Sequence, residues 1–328
     1  MAQERPGISI IIRTRNEERF IARTLEAVMA QVVSVPFEVI VLDSGSQDRT
    51  LELVRRFDVP ELNLRLETID PERFTFGLAL NLGARLAQGD IIVNLSAHCL
   101  PVDSAWLARL VEPLRVDPAV AASHGKQVPM KGVNPYEERL LVEAFSPDRH
   151  GKVSVVFSNS NGAVRKRVLE EFPFDEKAAF GEDFIWARRL PARLQVVYVP
   201  EAAVYHSHPL SLRYWARRYY QIGLQERYME QVYGLHFPLQ NSTGCGQPSG
   251  GPALLREMRA VLSFLLEAHY YRHLLLFPLY FAVRRSAYHK GLREGLKRYG
   301  GGAPGASAEG PPGDAAHEGT VAKRDAGA

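Results

Sequence analysis

Residues 8–12 read Ile-Ser-Ile-Ile-Ile, and this β-branched run, followed by the polar stretch Arg-Thr-Arg-Asn-Glu at 13–17, decides the fold. Such a run is typical of a strand buried on both faces of a parallel sheet. Apolar residues then recur at helical spacing over residues 20–29, and a second apolar run occupies residues 37–42. A strand, a helix and a second strand in this order indicate the start of a parallel α/β sheet.

The same alternation continues to about residue 95. We predict helices over residues 50–57 and 78–87, and strands over residues 64–68 and 91–95. Strands and helices that alternate at this spacing predict a three-layer α/β fold, Rossmann-like, with a mostly parallel sheet.

The second half of the chain is more mixed. The predicted elements are helices over 106–114, 164–172 and 183–190, strands over 119–126 and 195–199, and a loop with a helical piece over 130–152. Long helical stretches follow residue 211 and are interrupted by a Gly/Ser/Pro loop at 241–251. The last residues have hardly any large apolar side chain, which predicts disorder. The predicted units are a tail (1–7), an α/β domain (8–225), a C-terminal helical extension (226–299) and a disordered tail (300–328).

The composition excludes several classes of protein. The chain has 328 residues, 46% of them hydrophobic and 23% charged, which suits a folded protein with a sizeable core. A net charge of +3 is too small to indicate binding of nucleic acid. Only two cysteines occur, so we expect no disulfide framework and a reducing, cytoplasmic compartment. No apolar signal segment begins the chain, and no window approaches the roughly 18 apolar residues of a spanning helix.

Three polar loops follow predicted strands, at residues 13–17, 43–48 and 96–98. Ligands of doubly wound sheets bind beyond the carboxyl ends of the strands, so these loops are the candidate site. No strand is followed by a glycine-rich phosphate-binding fingerprint, which disfavours a dinucleotide-binding or P-loop enzyme. A nucleotide could still be held by its base and ribose, with a metal neutralising the phosphates.

Five segments resemble, in this order, the family 2 inverting glycosyltransferases. They are residues 8–17, VIVLDSGSQDRT at 39–50, ALNLGA at 79–84, GED at 181–183 and a late histidine, His206. The resemblance covers about residues 7–225 and is nearest to bacterial transferases of surface-polysaccharide assembly, including rhamnosyltransferase-like members. It implies the GT-A fold and transfer of a sugar, with inversion, from a UDP- or dTDP-linked donor to a glycan or lipid-linked acceptor.

The resemblance also implies a donor site. Asp43 would accept a hydrogen bond from the N3–H of a pyrimidine base; the alternative is that Asp43 caps the following helix. Thr14 and Glu17 would lie near the same nucleotide, and Ser96 would bond a ribose hydroxyl. Arg13 replaces a proline that is common in the family, and it is either an additional contact or an exposed residue.

Asp183 matches the general base of the family, which takes the proton of the acceptor hydroxyl. The neighbouring Glu182 is the alternative base, and a purely structural interpretation is an acidic helix N-terminus favoured by the helix dipole. The resemblance places Ser158–Gly162 at the acceptor pocket, although the segment could equally be an ordinary turn.

The family's metal-binding Asp-x-Asp is replaced here by Ser96-Ala97-His98, so both acids are missing. An imidazole can replace a carboxylate as a metal ligand, so His98 is a candidate ligand; alternatively no metal binds and arginines neutralise the diphosphate. His206 matches the late histidine, and His208 shares its face if that stretch is extended. Imidazole ligands would move the preference from Mg²⁺ toward Mn²⁺.

Two other functions remain open from the sequence: a non-catalytic GT-A-like binding or scaffold protein, and a nucleotidyltransferase. The retained Asp183 and His206 disfavour the first, and the absence of glycine from residues 13–17 disfavours the second. The apolar segment 274–283 precedes a group of basic residues, which predicts a peripheral contact with an anionic membrane. The alternative is that this helix packs on the domain or in a homo-oligomer.

Overall fold

A mixed eight-stranded sheet forms the centre of the part of the chain that the structure describes. The structure is a computed structural model that describes residues 5–57, 59, 62–145, 157–236 and 251–300. The strands are β1 (Ile8–Thr14), β2 (Phe37–Asp43), β3 (Leu64–Thr68), β4 (Ile91–Ser96), β5 (Leu100–Pro101), β6 (Val120–Pro129), β7 (Asn161–Arg165) and β8 (Gln195–His206).

The strand order is β3-β2-β1-β4-β7-β6-β8-β5. The first four strands of this order run parallel, with Ile8 opposite both Phe37 and Ile91. Strand β7 is antiparallel to its two neighbours, and β5 is antiparallel to β8. The predicted mostly parallel sheet is therefore confirmed, and the loops after β1, β2 and β4 leave the same edge.

Helices cover both faces of the sheet. They are α1 (Ile21–Met29), α2 (Thr50–Arg55) and α4 (Trp106–Val116) on one face, and α3 (Phe76–Leu86), α6 (Lys166–Glu171) and α7 (Glu182–Arg189) on the other. Because successive side chains of a strand point to opposite faces, Ile10 and Ile12 pack into the first layer and Ile11 packs into the second. The β-branched run at the start of the chain thus serves two cores, as its composition predicts.

The C-terminal helices form a third core. They are α8 (Leu212–Tyr233), α9 (Gly251–Glu267), a 3₁₀ helix (Tyr271–Leu276) and α10 (Phe277–Tyr299), with α5 (Pro135–Ala144) packed nearby. A Cβ atom on Gly223 would lie 2.2 Å from the carbonyl oxygen of Tyr288, so a glycine at this position lets α8 and α10 approach closely. The predicted division between residues 225 and 226 falls inside α8, which runs unbroken from the sheet domain into this helical region.

The structure differs from the sequence prediction around Val164. The sequence pattern predicts one helix over 164–172, whereas Asn161–Arg165 forms β7 and α6 begins only at Lys166. The segment is a strand because Val164 pairs with both Ile92 and Ala122, which fills the gap between β4 and β6. Most of the predicted loop at 241–251 and nearly all of the predicted tail from residue 300 lie outside the described residues. Among the described helices, none is both long and apolar enough to cross a membrane.

Candidate active site

Three histidines converge at one edge of the sheet. His98 follows β4, His206 is the last residue of β8, and His208 lies two residues further on. The short β5 pairs with the end of β8, with Leu100 opposite Tyr205, and this pairing holds the His98 loop beside His206. The Nε2 atoms of His98 and His206 lie 3.1 Å apart, and the ligand atoms of all three lie within 4.8 Å of one another. Three nitrogens at this spacing can hold one metal ion.

The other ring nitrogen of each histidine faces a side-chain oxygen. The pairs are His98 Nδ1 with Glu17 at 2.7 Å, His206 Nδ1 with Gln127 at 2.6 Å, and His208 Nδ1 with Glu137 at 2.6 Å. These three partners come from the loop after β1, from β6 and from α5. Each ring is therefore fixed by a different element of the fold.

Burial keeps two of the rings neutral. Burial, together with the nearby His208 and His98, lowers the pKa of His206 well below its ordinary value. Burial also lowers the pKa of His208, although the carboxylate of Glu137 acts in the opposite direction. A neutral imidazole is the form that coordinates a metal, so the surroundings favour the ligand form of both rings.

The acid pair lies at the start of α7, on the other side of the same cleft. Glu182 is buried, and its Oε1 accepts a hydrogen bond from the Asn159 side-chain amide at 3.1 Å. Asp183 is only partly buried; its Oδ2 accepts from the backbone N–H of Asn159 at 3.2 Å and its Oδ1 from that of Phe184 at 2.8 Å. Asp183 is thus the more exposed of the two acids, and both line the cleft.

The surroundings of Asp183 raise the pKa of its carboxyl group to about 7. Burial is the largest cause, and the negative charge of Glu182 adds to it. The hydrogen bonds from Asn159 and Phe184 and the charge of Arg13 act against the rise. A carboxylate with a pKa near neutrality is suited to take a proton from a hydroxyl group.

Arg13 reaches the acid pair from β1. Its side chain is 9% exposed and lies 3.9 Å from the Glu182 carboxylate. Its guanidinium donates to the backbone carbonyl of Asn159 at 3.2 Å and lies over the ring of Phe76, 5.0 Å from the ring centre. Burial lowers the pKa of Arg13 and the carboxylates of Glu182 and Asp183 raise it, but a guanidinium stays charged. Arg13 is therefore a buried cation of the site and is not an exposed residue.

One cleft of about 270 Å³ joins the two groups. Its lining includes Ser96, His98, Glu182, Asp183, His206 and His208, with Phe76, Phe157, Phe180 and Phe184 as aromatic walls. Ser158, Asn159 and Ser160 also line it. The structure thus brings the predicted catalytic and metal-ligating residues together around one space.

Three of the four residues predicted to bind the donor, Thr14, Glu17 and Asp43, do not line this cleft, and Glu17 contacts His98 instead. Thr14 and Asp43 are opposite each other in the β1–β2 register, and both are buried. Asp43 accepts hydrogen bonds from the backbone N–H groups of Gly45 and Ser46, both at 2.9 Å. Asp43 therefore stabilises its own turn, whereas Asp48 accepts from the N–H of Thr50, the first residue of α2.

Gln127 and Glu137 were not predicted as site residues, and Arg13 was predicted to be either an additional contact or an exposed residue. Gln127 lies just beyond an irregularity in the pairing of β6 with β8, and nothing local in the sequence marks it. Glu137 follows Asn134 by three residues, which is a capping-box pattern. Asn134 caps α5, yet the Glu137 carboxylate binds His208 instead of turning back to the cap.

Comparisons with known proteins identify the family. The family model described as glycosyl transferase family 2 matches residues 9–172, which is half of the chain. An O-antigen chain rhamnosyltransferase of Salmonella typhimurium is 32% identical over 230 residues, which are 66% of this chain and 71% of that protein. A second O-antigen chain rhamnosyltransferase, from Salmonella anatum, is 28% identical over 202 residues, 58% of this chain and 62% of that protein.

Solved structures that are similar to this chain include a mannosyltransferase from Pyrobaculum calidifontis in complex with GDP-Man and Mn²⁺. It superposes with a TM-score of 0.59 at 21% identity and covers 90% of this chain and 88% of its own. At this level of identity the likeness concerns the fold, and it confirms the predicted GT-A architecture.

Proposed function

The chain belongs to glycosyl transferase family 2, and from this premise we propose that it transfers a sugar from a nucleoside-diphosphate donor to a glycan or lipid-linked acceptor, with inversion. The observation that carries the proposal is the position of Asp183, a partly buried acid with a raised pKa, in the same cleft as the three histidines. The O-antigen rhamnosyltransferases among its relatives support a role in surface-polysaccharide biosynthesis.

Asp183 acts as the general base in this proposal. The acceptor hydroxyl gives its proton to the Asp183 carboxylate while the hydroxyl oxygen forms a bond to the anomeric carbon. The bond between that carbon and the diphosphate breaks on the opposite face, and the diphosphate leaves with the electron pair. A well-placed base contributes roughly a hundred- to ten-thousand-fold to such a step. Asn159 donates to both carboxylates and accepts from Arg13. Glu182 and Arg13 therefore help to hold the Asp183 carboxylate in position through Asn159.

The three histidines fit a divalent metal ion. His98, His206 and His208 would hold it, and such an ion, when bound, stabilises the negative charge that develops on a leaving diphosphate. Three imidazoles suit Mn²⁺ better than Mg²⁺, which prefers oxygen ligands. The complex of the Pyrobaculum mannosyltransferase with Mn²⁺ supports the same choice.

The donor nucleotide lies, in this proposal, along the edge formed by the ends of β1, β2 and β4. Asp43 and Thr14 would flank its base, and Ser96, which lines the cleft, would bond the ribose. The rhamnosyltransferases among the relatives make dTDP-linked rhamnose the first donor to test, with UDP-linked sugars next.

Release of nucleotide from a panel of sugar donors, with and without a glycan or lipid-linked acceptor, tests the function. We expect acceptor-dependent release of dTDP or UDP and a product of inverted anomeric configuration. Binding of donors without any transfer would support the non-catalytic scaffold instead. Formation of a nucleotide-sugar from a nucleoside triphosphate would support the nucleotidyltransferase.

A lipid-linked acceptor would place the reaction at the inner face of the cytoplasmic membrane. Leu275 and Leu279 are 85% and 45% exposed, and exposed basic residues such as Arg285 follow them, which suits an anionic bilayer. Tyr280 and Phe281 are buried in the helical core, so only part of segment 274–283 is free for this contact. Anionic vesicles should carry the protein upward in a flotation gradient at low salt.

The double change Leu275→Ser and Leu279→Ser should abolish that co-flotation. Val116→Ser is a suitable control, because Val116 is 67% exposed at the end of α4, away from the helical region. Equal flotation of both variants would mean that this surface makes no membrane contact.

A further inference from the structure

We infer that Glu17, Gln127 and Glu137 are positioning residues that preform the three-histidine site, so that it binds a divalent transition metal before any nucleotide arrives. The inference rests on the metal-binding role proposed above for His98, His206 and His208. It gives a role to three residues on three separate elements that are otherwise unconnected in the sequence.

The first step concerns the protons on the rings. A carboxylate oxygen and an amide oxygen can only accept, so each Nδ1 that faces one of them carries the hydrogen. The Gln127 amide is oriented by its own nitrogen, which donates to the Ser158 hydroxyl at 2.8 Å. Its oxygen is therefore the atom that faces His206. All three rings then present Nε2 as the available ligand atom.

The second step concerns the distance between two of these atoms. With both Nδ1 atoms protonated, the neutral rings of His98 and His206 point Nε2 lone pairs at each other across 3.1 Å. Two acceptors repel at this distance unless a cation lies between them. Two nitrogens that bind one ion at about 2.0–2.1 Å each are separated by roughly 3.0–3.4 Å, so the measured spacing fits a shared metal. The other occupant that would relieve the repulsion is an extra proton on His98, shared with His206.

The third step concerns independence from the nucleotide. Three protein ligands are enough to hold a metal with an open position, as in catalytic zinc sites. Partners on the other ring nitrogen fix the orientation of a ligating histidine and raise its basicity, and here every ring has such a partner. Because none of the rings must reorient or change its proton position, the site needs no diphosphate to complete it.

Cobalt binding without nucleotide tests the inference. Full-length protein is stripped of metal and titrated with Co²⁺, and the visible absorption of the bound ion is recorded. We expect one Co²⁺ per chain, displaced by Zn²⁺ and unaffected by millimolar Mg²⁺. Absence of a Co²⁺ spectrum would overturn the inference and leave the shared proton as the explanation of the short distance.

Variants then test whether Glu17 and Gln127 position the histidines or only stabilise the fold. Glu17→Leu and Gln127→Leu should weaken Co²⁺ binding by about 10- to 100-fold, while Glu17→Gln, which keeps an accepting oxygen, should stay close to the unmodified protein. Glu18→Leu is the matched control, because Glu18 is exposed and its carboxylate accepts from the backbone N–H of Arg49. Glu17 is itself only partly buried, so its variants should fold, which circular dichroism checks. Equal Co²⁺ affinity for Glu17→Leu and Glu18→Leu would refute the positioning role.

The inference and the proposed function can fail separately. A protein that transfers sugar but binds no Co²⁺ by itself would keep the proposed activity and lose the preformed site. A protein that binds Co²⁺ as expected but transfers no sugar would keep the site and lose the activity.

Discussion

The acid side and the histidine side of the cleft are organised in opposite ways. Glu182 and Asp183 share their partners: Asn159 bonds both carboxylates, and Arg13 bonds Asn159 and lies close to Glu182. Each of the three histidines instead has an acceptor of its own. Groups that share partners influence one another, whereas groups with separate partners respond singly. Changes on the acid side should therefore be strongly coupled through Asn159, whereas a change of Glu17, Gln127 or Glu137 removes the acceptor of one ring only.

The largest expected effect separates the two acids. Asp183→Asn should lower turnover by at least roughly a hundred-fold, because the amide cannot take the proton of the acceptor. Donor binding and folding should change little, since the amide oxygen keeps one of the two bonds that the carboxylate oxygens accept from the N–H groups of Asn159 and Phe184. Glu182→Gln is the matched variant and should cost far less, because Glu182 is buried against Asn159 and Arg13. Steady-state rates and donor titrations of both variants give the comparison, and near-normal turnover of Asp183→Asn would transfer the role of base to Glu182.

The next effect is on the histidine side. His98→Ala should abolish the response of activity to added metal and lower activity by about 10- to 100-fold, since one of three ligands is lost. His98→Asp should recover part of the activity and move the preference from Mn²⁺ toward Mg²⁺, because a carboxylate is the harder ligand. The measurement is activity against metal concentration for each ion after exhaustive chelation. Full activity of the unmodified protein without metal would remove His98 from the mechanism.

The sequence could predict the elements that depend on local signals, and it could not predict those that depend on pairing between distant segments. The strands β1, β2 and β4 follow from continuous β-branched runs, and α1 and α3 follow from helical spacing, because these signals are local. Strand β7 was missed because its strand conformation depends on pairing with β4 and β6, which lie distant in sequence. Local patterns carry no information about such pairing.

In the site, the candidate ligands could be named from the sequence, and the side chains that hold them could not. The resemblance to a known family pointed to Asp183, His98 and His206 at their places in the order of motifs. Gln127 and Glu137 reach the histidines only through the β6–β8 register and the docking of α5, which are tertiary features. Glu137 lies in the segment 130–152, for which the sequence predicted only a loop with a helical piece.

A smaller effect, on pH dependence, tests the coupling of the acids. The base must be deprotonated to act, so activity should fall as the pH drops through about 7, the raised pKa of Asp183. Because the charge of Glu182 contributes to that rise, Glu182→Gln should lower the pKa of Asp183 and move the acid limb to lower pH. Rate–pH profiles at saturating metal would show the displacement. An unmoved acid limb would mean that the two carboxylates are not coupled in the working enzyme.

The smallest expected effect is a rise in the pKa of Asp183 when the charge of Arg13 is removed, opposite to the effect of Glu182→Gln. Its charge is the weakest of the influences on the pKa of Asp183, and it acts to lower that pKa. Arg13→Met removes the charge but keeps much of the apolar stem beside Phe76, so the acid limb should move slightly to higher pH. Arg13→Lys keeps a cation and should leave the limb close to its original place. In the double variant Arg13→Met/Glu182→Gln the two displacements should partly cancel, which a general loss of stability could not produce. A double variant whose limb lies beyond that of either single variant would show that Arg13 and Glu182 do not act on Asp183 through charge.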